Sequence, residues 1–304
     1  MEDQIPVKRN RAGVFLRGMA MGAADVIPGV SGGTVAFITG IYQELISSLG
    51  SIDTRALNMA LHGKFIEAWR HVNGGFLILL FAGIVSSIAS LAHVISWLLD
   101  TYPEPLWAYF FGLIIASSIY IATHFKIFHV GNAAILFVAM LLAYLLSNLT
   151  AMQVDPTWLM LVASGIIAIS AMLLPGISGS FILVLLGMYQ VVLGAIKEFQ
   201  IVTLSLFVIG CIIGLLSFTH IVAWLLKRYY TQTLAALTGF MLGSLSKVWP
   251  WKLQGVHGSY ISETNVLPGQ YLAHTDPRLL MVSVCLCAGL ATVYLINRAG
   301  RGKP

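Results

Sequence analysis

The chain has 304 residues, 58% hydrophobic and only 10% charged, with a mean hydropathy of +0.87. Soluble domains carry about a quarter charged residues, so an integral membrane protein is expected, with no soluble or nucleotide-binding unit of any size. The formal net charge of +5 falls mostly on one side of the predicted topology, an orientation signal rather than a nucleic-acid surface.

Residues 1 to 11 form a basic tail with Lys8, Arg9 and Arg11. It resembles the start of a signal peptide, but the Asp25 and Pro28-Gly29 that follow argue against cleavage. Residues 12 to 49 are apolar at both ends and broken in the middle by Pro28, Gly29, Ser31, Gly32 and Gly33. These residues stop a helix and expose polar groups that only a protein-lined cavity tolerates. As helices, two arms of about 16 to 18 residues reach only about 24 to 27 Å, short of the roughly 30 Å hydrocarbon core, which predicts a re-entrant hairpin. Residues 51 to 73, with Arg55, Lys64, Glu67 and Arg70, read as an amphipathic connection on the membrane surface. Spans follow at about 75 to 99, 105 to 122 and 132 to 149.

The plan then recurs: a hairpin over 157 to 196 and spans at about 201 to 226, 232 to 247 and 279 to 297, with one long polar loop over 248 to 277. A shift of 147 residues lays Pro175-Gly176-Ile177-Ser178-Gly179-Ser180 over Pro28-Gly29-Val30-Ser31-Gly32-Gly33, and Gly187, Tyr189 and Gln190 over Gly40, Tyr42 and Gln43. Seven of the sixteen positions from Pro28 to Gln43 are identical, which marks an internal duplication. A shift of 127 matches Gly83, His93, Trp97, Tyr102, Ala108, Gly112 and Ser117 to Gly210, His220, Trp224, Tyr229, Ala235, Gly239 and Ser244. The predicted fold is therefore an all-α polytopic membrane protein of two repeats, 1 to 150 and 151 to 304. Each half is a re-entrant helical hairpin plus three transmembrane helices.

If each hairpin returns to the side it entered, thirteen of the seventeen Lys and Arg residues lie on one side, with Lys197, Lys247, Lys252 and Arg278 on the other. The positive-inside rule then puts both termini in the cytoplasm and makes the two repeats inverted. Cys211, Cys285 and Cys287 lie inside apolar runs without His or acidic neighbours, so packing is expected and no metal site.

Each Pro-Gly-x-Ser-Gly element stands where a helix begins, and unpaired amides at a helix start favour an anion. Gly29, Ser31, Gly32, Gly33 and Thr34, with Gly176, Ser178, Gly179 and Ser180, are the expected anion-binding residues at the meeting of two inverted elbows. Alternatively, each motif only caps its own turn. Asp25, matched by Met172, is costly in a membrane and is a candidate to carry a proton, bind Na⁺ or cap the helix start. Arg17 can reach a phosphate bidentately or snorkel to the headgroups, and Glu44 is a second proton site or a surface residue. The matched pair His93 and His220 either packs or lines a pathway, while Tyr42, Tyr189, Trp97 and Trp224 read as interfacial anchors.

The run GAADVIPGVSGGTVAFITGIYQELISSL, echoed by SAMLLPGISGSFILVLLGMYQVVLGAI, resembles the polyprenyl-phosphate transporters, the undecaprenyl phosphate translocases, over essentially the whole chain. The resemblance implies a multi-pass protein of the bacterial cytoplasmic (inner) membrane. It implies return of the lipid carrier phosphate from the outer to the inner leaflet for envelope synthesis. The expected partners are polyprenyl phosphate and membrane lipids, with H⁺ or Na⁺ as coupling ion, no other cofactor, no catalytic residue and a homodimer compatible with the sequence. The residues alone leave two alternatives. One is a small-anion secondary transporter. The other is an intramembrane serine hydrolase built on the G-x-S-G of Ser31 or Ser178 with His93 or His220 as base.

Overall fold

The structure is a computed structural model describing residues 10–27, 30–123, 125, 129–149, 155–257 and 260–301. The Asn10 side chain accepts the Ala12 amide at 3.3 Å and opens α1 (Arg11–Asp25). After the break come α2 (Gly32–Ile38), α3 (Tyr42–Gly50) and the surface pair α4 (Thr54–Leu61) and α5 (Phe65–His71). Three long helices complete the first half: α6 (Gly74–Thr101), α7 (Pro103–Ala122) and α8 (Val130–Ser147). The second half repeats this order without the surface pair, as α9 (Trp158–Leu173), α10 (Gly179–Leu185), α11 (Tyr189–Lys197), α12 (Ile201–Arg228), α13 (Tyr230–Gly243) and, beyond the polar loop, α15 (Leu279–Arg301). The loop holds β1 (Lys252–His257), β2 (Tyr260–Asn265) and α14 (Pro268–Tyr271).

Five of the described helices, α6, α7, α8, α12 and α15, are long and apolar enough to cross a membrane. The sixth expected span, 232 to 247, is shorter. The 14-residue α13, about 21 Å long, gives way to a 3-10 turn at Ser244–Val248, where the Ser244 hydroxyl donates back to the Met241 carbonyl at 2.8 Å. The predicted ascending arms are also divided. Gly40 and Gly187 both adopt φ of 69°, which side-chain residues avoid, and α10 and α11 meet at 109°. Each segment expected as a two-armed hairpin thus holds three helices.

The glycines that match between halves are helix crossings. A Cβ on Gly18 of α1 would lie 2.2 Å from the Leu80 carbonyl oxygen, and one on Gly83 of α6 equally close to that of Phe15. The second half repeats this: a Cβ on Gly165 would run into the Phe207 carbonyl oxygen, and one on Gly210 into that of Val162. In lipid, where apolar area alone does not drive association, small residues hold helices together through close backbone contact. The last helix of each half is exchanged. The α8 helix packs on α13, and α15 packs on α7, so closely that a Cβ on Gly239 would run into the Leu136 carbonyl oxygen and one on Gly112 into that of Leu286. Equivalent one-residue links also recur. Tyr102 and Tyr229 each donate their amide 2.7 Å to a carbonyl four residues back, and their rings meet Trp97 and Trp224 edge to face at 5.8 and 5.6 Å.

The described residues of the 248 to 277 loop hold more regular structure than its composition suggests. Its strands pair antiparallel from Lys252↔Asn265 to His257↔Tyr260, and the Trp249 and Trp251 indoles donate to the Val266 and Pro277 carbonyls at 2.8 and 3.0 Å. The Tyr271 hydroxyl donates to the buried Glu104 carboxylate at 2.7 Å, and Arg278 donates to the Thr101 carbonyl at 2.6 Å. Burial, reinforced by Glu104, pushes the Tyr271 hydroxyl up to about 12. On the surface pair, Leu57, Leu61, Phe65, Ile66 and Trp69 are exposed beside Arg55, Lys64 and Arg70, the amphipathic pattern expected of the connection.

Candidate functional site

The two elbows meet. Ser31 donates its hydroxyl to the Met172 carbonyl at 3.1 Å, the Gly176 amide donates to the Thr34 hydroxyl at 2.8 Å, and the Tyr42 hydroxyl donates to the Leu173 carbonyl at 3.0 Å. The partners in these bonds lie 131 to 142 positions apart in the chain. A Cβ on Gly33 would stand 2.9 Å from the Met172 carbonyl oxygen, so glycine there permits the contact. Ser31, Thr34 and Tyr42 are all nearly inaccessible. Interfacial anchoring, expected for Tyr42, is therefore corrected. Its ring is buried against Phe37, edge to face at 5.0 Å, and its hydroxyl ties the halves together, whereas Tyr189 stays exposed.

The elbows are not chemically equivalent. In the first, the Gly32 amide donates to the Asp25 carboxylate at 2.6 Å and the Gly33 amide to the Ser31 hydroxyl at 3.1 Å, so both leading donors of α2 are occupied within the protein. Asp25 sits over Gly32 so closely that a Cβ there would lie 2.5 Å from its carboxylate oxygen. In the second, Met172 replaces the acid and Ser178 makes no side-chain cap bond. Instead the Ser178 and Ser180 hydroxyls lie 2.9 Å apart. Gly176 adopts φ of 90° beside the Phe240 carbonyl and the Ser244 hydroxyl, leaving no room for a Cβ.

Beside the second elbow is a cleft lined by Ser147, Gly176, Ser178, Phe181 and Lys247 among others, about 310 Å³ out to its mouth and narrow at the base. The Lys247 ammonium rests over the Phe181 ring, 4.4 Å from its centroid. Lys247 enters the sequence analysis only as a topology charge. The signal that could have marked it is that its match in the first repeat, at the 127-residue shift, is the neutral Tyr120.

Of the expected residues, the structure joins Asp25, Ser31, Gly32, Gly33 and Thr34 to the element holding Gly176, Ser178, Gly179 and Ser180. Pro28 and Gly29 lie outside the described residues. Arg17 is not at the elbow, since it stands two turns earlier on α1, about 12 Å from Asp25 along the axis. Glu44 opens α3 and accepts from the Asn73 side chain at 3.2 Å, a contact at the α6 start. His93 and His220 are both exposed on the outer faces of α6 and α12, so they neither pack inside nor face the elbows. With the Ser31 hydroxyl given to a carbonyl, and no histidine bonded to either serine among the described residues, the serine-hydrolase arrangement is not built there.

A family model described as VCA0040-like, undecaprenyl phosphate translocase-like, matches residues 21–263. A polyprenyl-phosphate transporter of Vibrio cholerae serotype O1 (strain ATCC 39315 / El Tor Inaba N16961) is 51% identical over 243 residues, covering 80% of this chain and 79% of the relative. A polyprenyl-phosphate transporter of Staphylococcus aureus (strain NCTC 8325 / PS 47) is 33% identical over 255 residues, covering 78% and 85%. No solved structure matches the chain.

Proposed function

From the premise that the chain belongs to the undecaprenyl phosphate translocase-like family, we propose that it transports a polyprenyl phosphate across the bacterial cytoplasmic membrane. It moves the lipid from the outer to the inner leaflet for reuse in envelope synthesis, with both termini cytoplasmic and the two halves inverted. The observation that supports this is the joining of two duplicated elbows, which brings broken backbone and hydroxyls together between long apolar helices, the arrangement that secondary transporters use for a binding site.

Within this mechanism the elbows divide the work. The first, capped by Asp25 and Ser31, is the rigid half that grips the second. The second, with Gly176 and Ser178 on the cleft wall and the Ser178 hydroxyl paired only to that of Ser180, holds the phosphate. Asp25 is the coupling residue. A carboxylate buried in this setting gains or loses a proton, or exchanges Na⁺, as the headgroup passes, and its bond to Gly32 transmits the change to α2.

Reconstitution with a labelled polyprenyl phosphate tests the proposal. Protein-dependent leaflet exchange, faster with an imposed proton or Na⁺ gradient, is expected. Uptake of inorganic phosphate or a small carboxylate, with no movement of lipid phosphate, would replace it with a small-anion carrier.

A further inference from the structure

We infer that Lys247 is the cationic ligand for the substrate's phosphate on the outer side, held on Phe181 until the headgroup arrives. The inference rests on the transport proposal above and adds the charge that the duplicated motif lacks.

Ser147 and Ser178 are buried hydroxyl residues on the cleft wall, contributed by α8 and the second elbow, while Lys247 comes from the 3-10 turn after α13. Three separate elements therefore bring polar groups to one small, otherwise apolar recess, and no acidic side chain lines it among the described residues. A phosphate monoester needs a cation as well as hydroxyl donors, and a lysine on a flexible stem serves as a mobile point charge. The cleft base admits little more than a water molecule in this conformation. Swinging the Lys247 side chain off the Phe181 face would open it. Lys252 reinforces the field: its ammonium donates to the Lys247 carbonyl at 2.6 Å and lies 4.6 Å from the Trp107 centroid. At the matching place the first repeat has Tyr120. The cation thus makes the two elbows functionally unequal and assigns phosphate capture to the second. By the charge distribution this end of the molecule faces outward, where an inward-moving lipid phosphate must be loaded.

The test is binding of farnesyl phosphate, with farnesol as the uncharged control, to the full-length protein in nanodiscs. Lys247→Met and Lys247→Gln are expected to weaken farnesyl phosphate by roughly tenfold or more and leave farnesol unchanged, while Lys247→Arg stays within about threefold. Phe181→Leu, which removes the resting place of the ammonium, is expected to tighten binding by about twofold to threefold. Equal binding by wild type, Lys247→Met and Lys247→Gln would overturn the inference and leave the transport proposal standing. A loss in Lys247→Arg as large as in Lys247→Met would also overturn it, because packing rather than charge would then be at stake. If the neutral variants fail to fold, Phe181→Leu decides, and unchanged or weaker binding counts against the inference. No binding of farnesyl phosphate by wild type would remove the transport proposal and this inference together.

Discussion

Ser31→Ala and Ser178→Ala remove the same atom from duplicated motifs, yet they should behave differently. The Ser31 hydroxyl is buried, accepts the Gly33 amide and donates to the Met172 carbonyl, both at 3.1 Å. Losing an N-cap costs about 1 kcal/mol, and interhelical hydrogen bonds in membrane proteins average about 0.6 kcal/mol with a maximum near 1.7. Together they predict destabilisation of about 2 kcal/mol, roughly a thirtyfold shift in the unfolding equilibrium. The Ser178 hydroxyl makes no cap bond and pairs only with Ser180, which can reorient into the cleft. Its loss should cost about 1 kcal/mol or less, because one hydroxyl–hydroxyl bond goes and the Ser180 hydroxyl left behind lies on an exposed residue. Reversible unfolding by sodium dodecyl sulfate in mixed micelles, followed by tryptophan fluorescence, reads the difference directly. Farnesyl phosphate binding should show the opposite order, with Ser178→Ala the more damaged of the two. Equal destabilisation of both variants, or a larger loss in Ser178→Ala, would refute the division of labour between the elbows.

At the helix crossings, Gly18→Val and its match Gly165→Val force a Cβ into a carbonyl oxygen of the neighbouring helix. Both should lower the yield of monodisperse protein severely on size exclusion, whereas Gly269→Ala, with open space around it, should not. Asp25→Asn keeps an oxygen to accept the Gly32 amide. Stability should stay within about 1 kcal/mol of wild type while the pH dependence of leaflet exchange disappears; a preserved pH profile would reduce Asp25 to a cap. On the surface pair, Asp53 accepts the Ala56 and Arg55 amides and faces His71, and the Ala56 bond, the largest effect, holds its carboxyl below the usual value. Because the folded-state pKa is the lower one, its stabilisation is present above the unfolded value near 4 and fades as pH falls through the folded value. The melting-temperature gap between wild type and Asp53→Ala should therefore be constant above about pH 5 and shrink below about pH 4.

Membrane residence, duplication and the places of both elbows followed from the one-dimensional pattern. Apolar length, Pro-Gly breaks and a 147-residue shift are local or periodic properties, written in each repeat without reference to the other. The matched glycines were legible as a pattern, and each became a crossing because close backbone contact is what small residues permit in lipid. Only the tertiary structure decided which surface each side chain meets. Nothing in the composition of α8 or α15 says that each packs on the opposite half, since lipid-facing and protein-facing apolar residues look alike. His93 and His220 turn outward and Tyr42 inward for the same reason: exposure depends on a neighbour far away in the chain. The two serine motifs read alike, but Ser31 faces a carbonyl of the other half and Ser178 faces a cleft roofed by Lys247. A duplicated sequence specifies a duplicated backbone. When two such backbones interlock, each hydroxyl answers to whatever its partner presents, and that asymmetry arises only on folding.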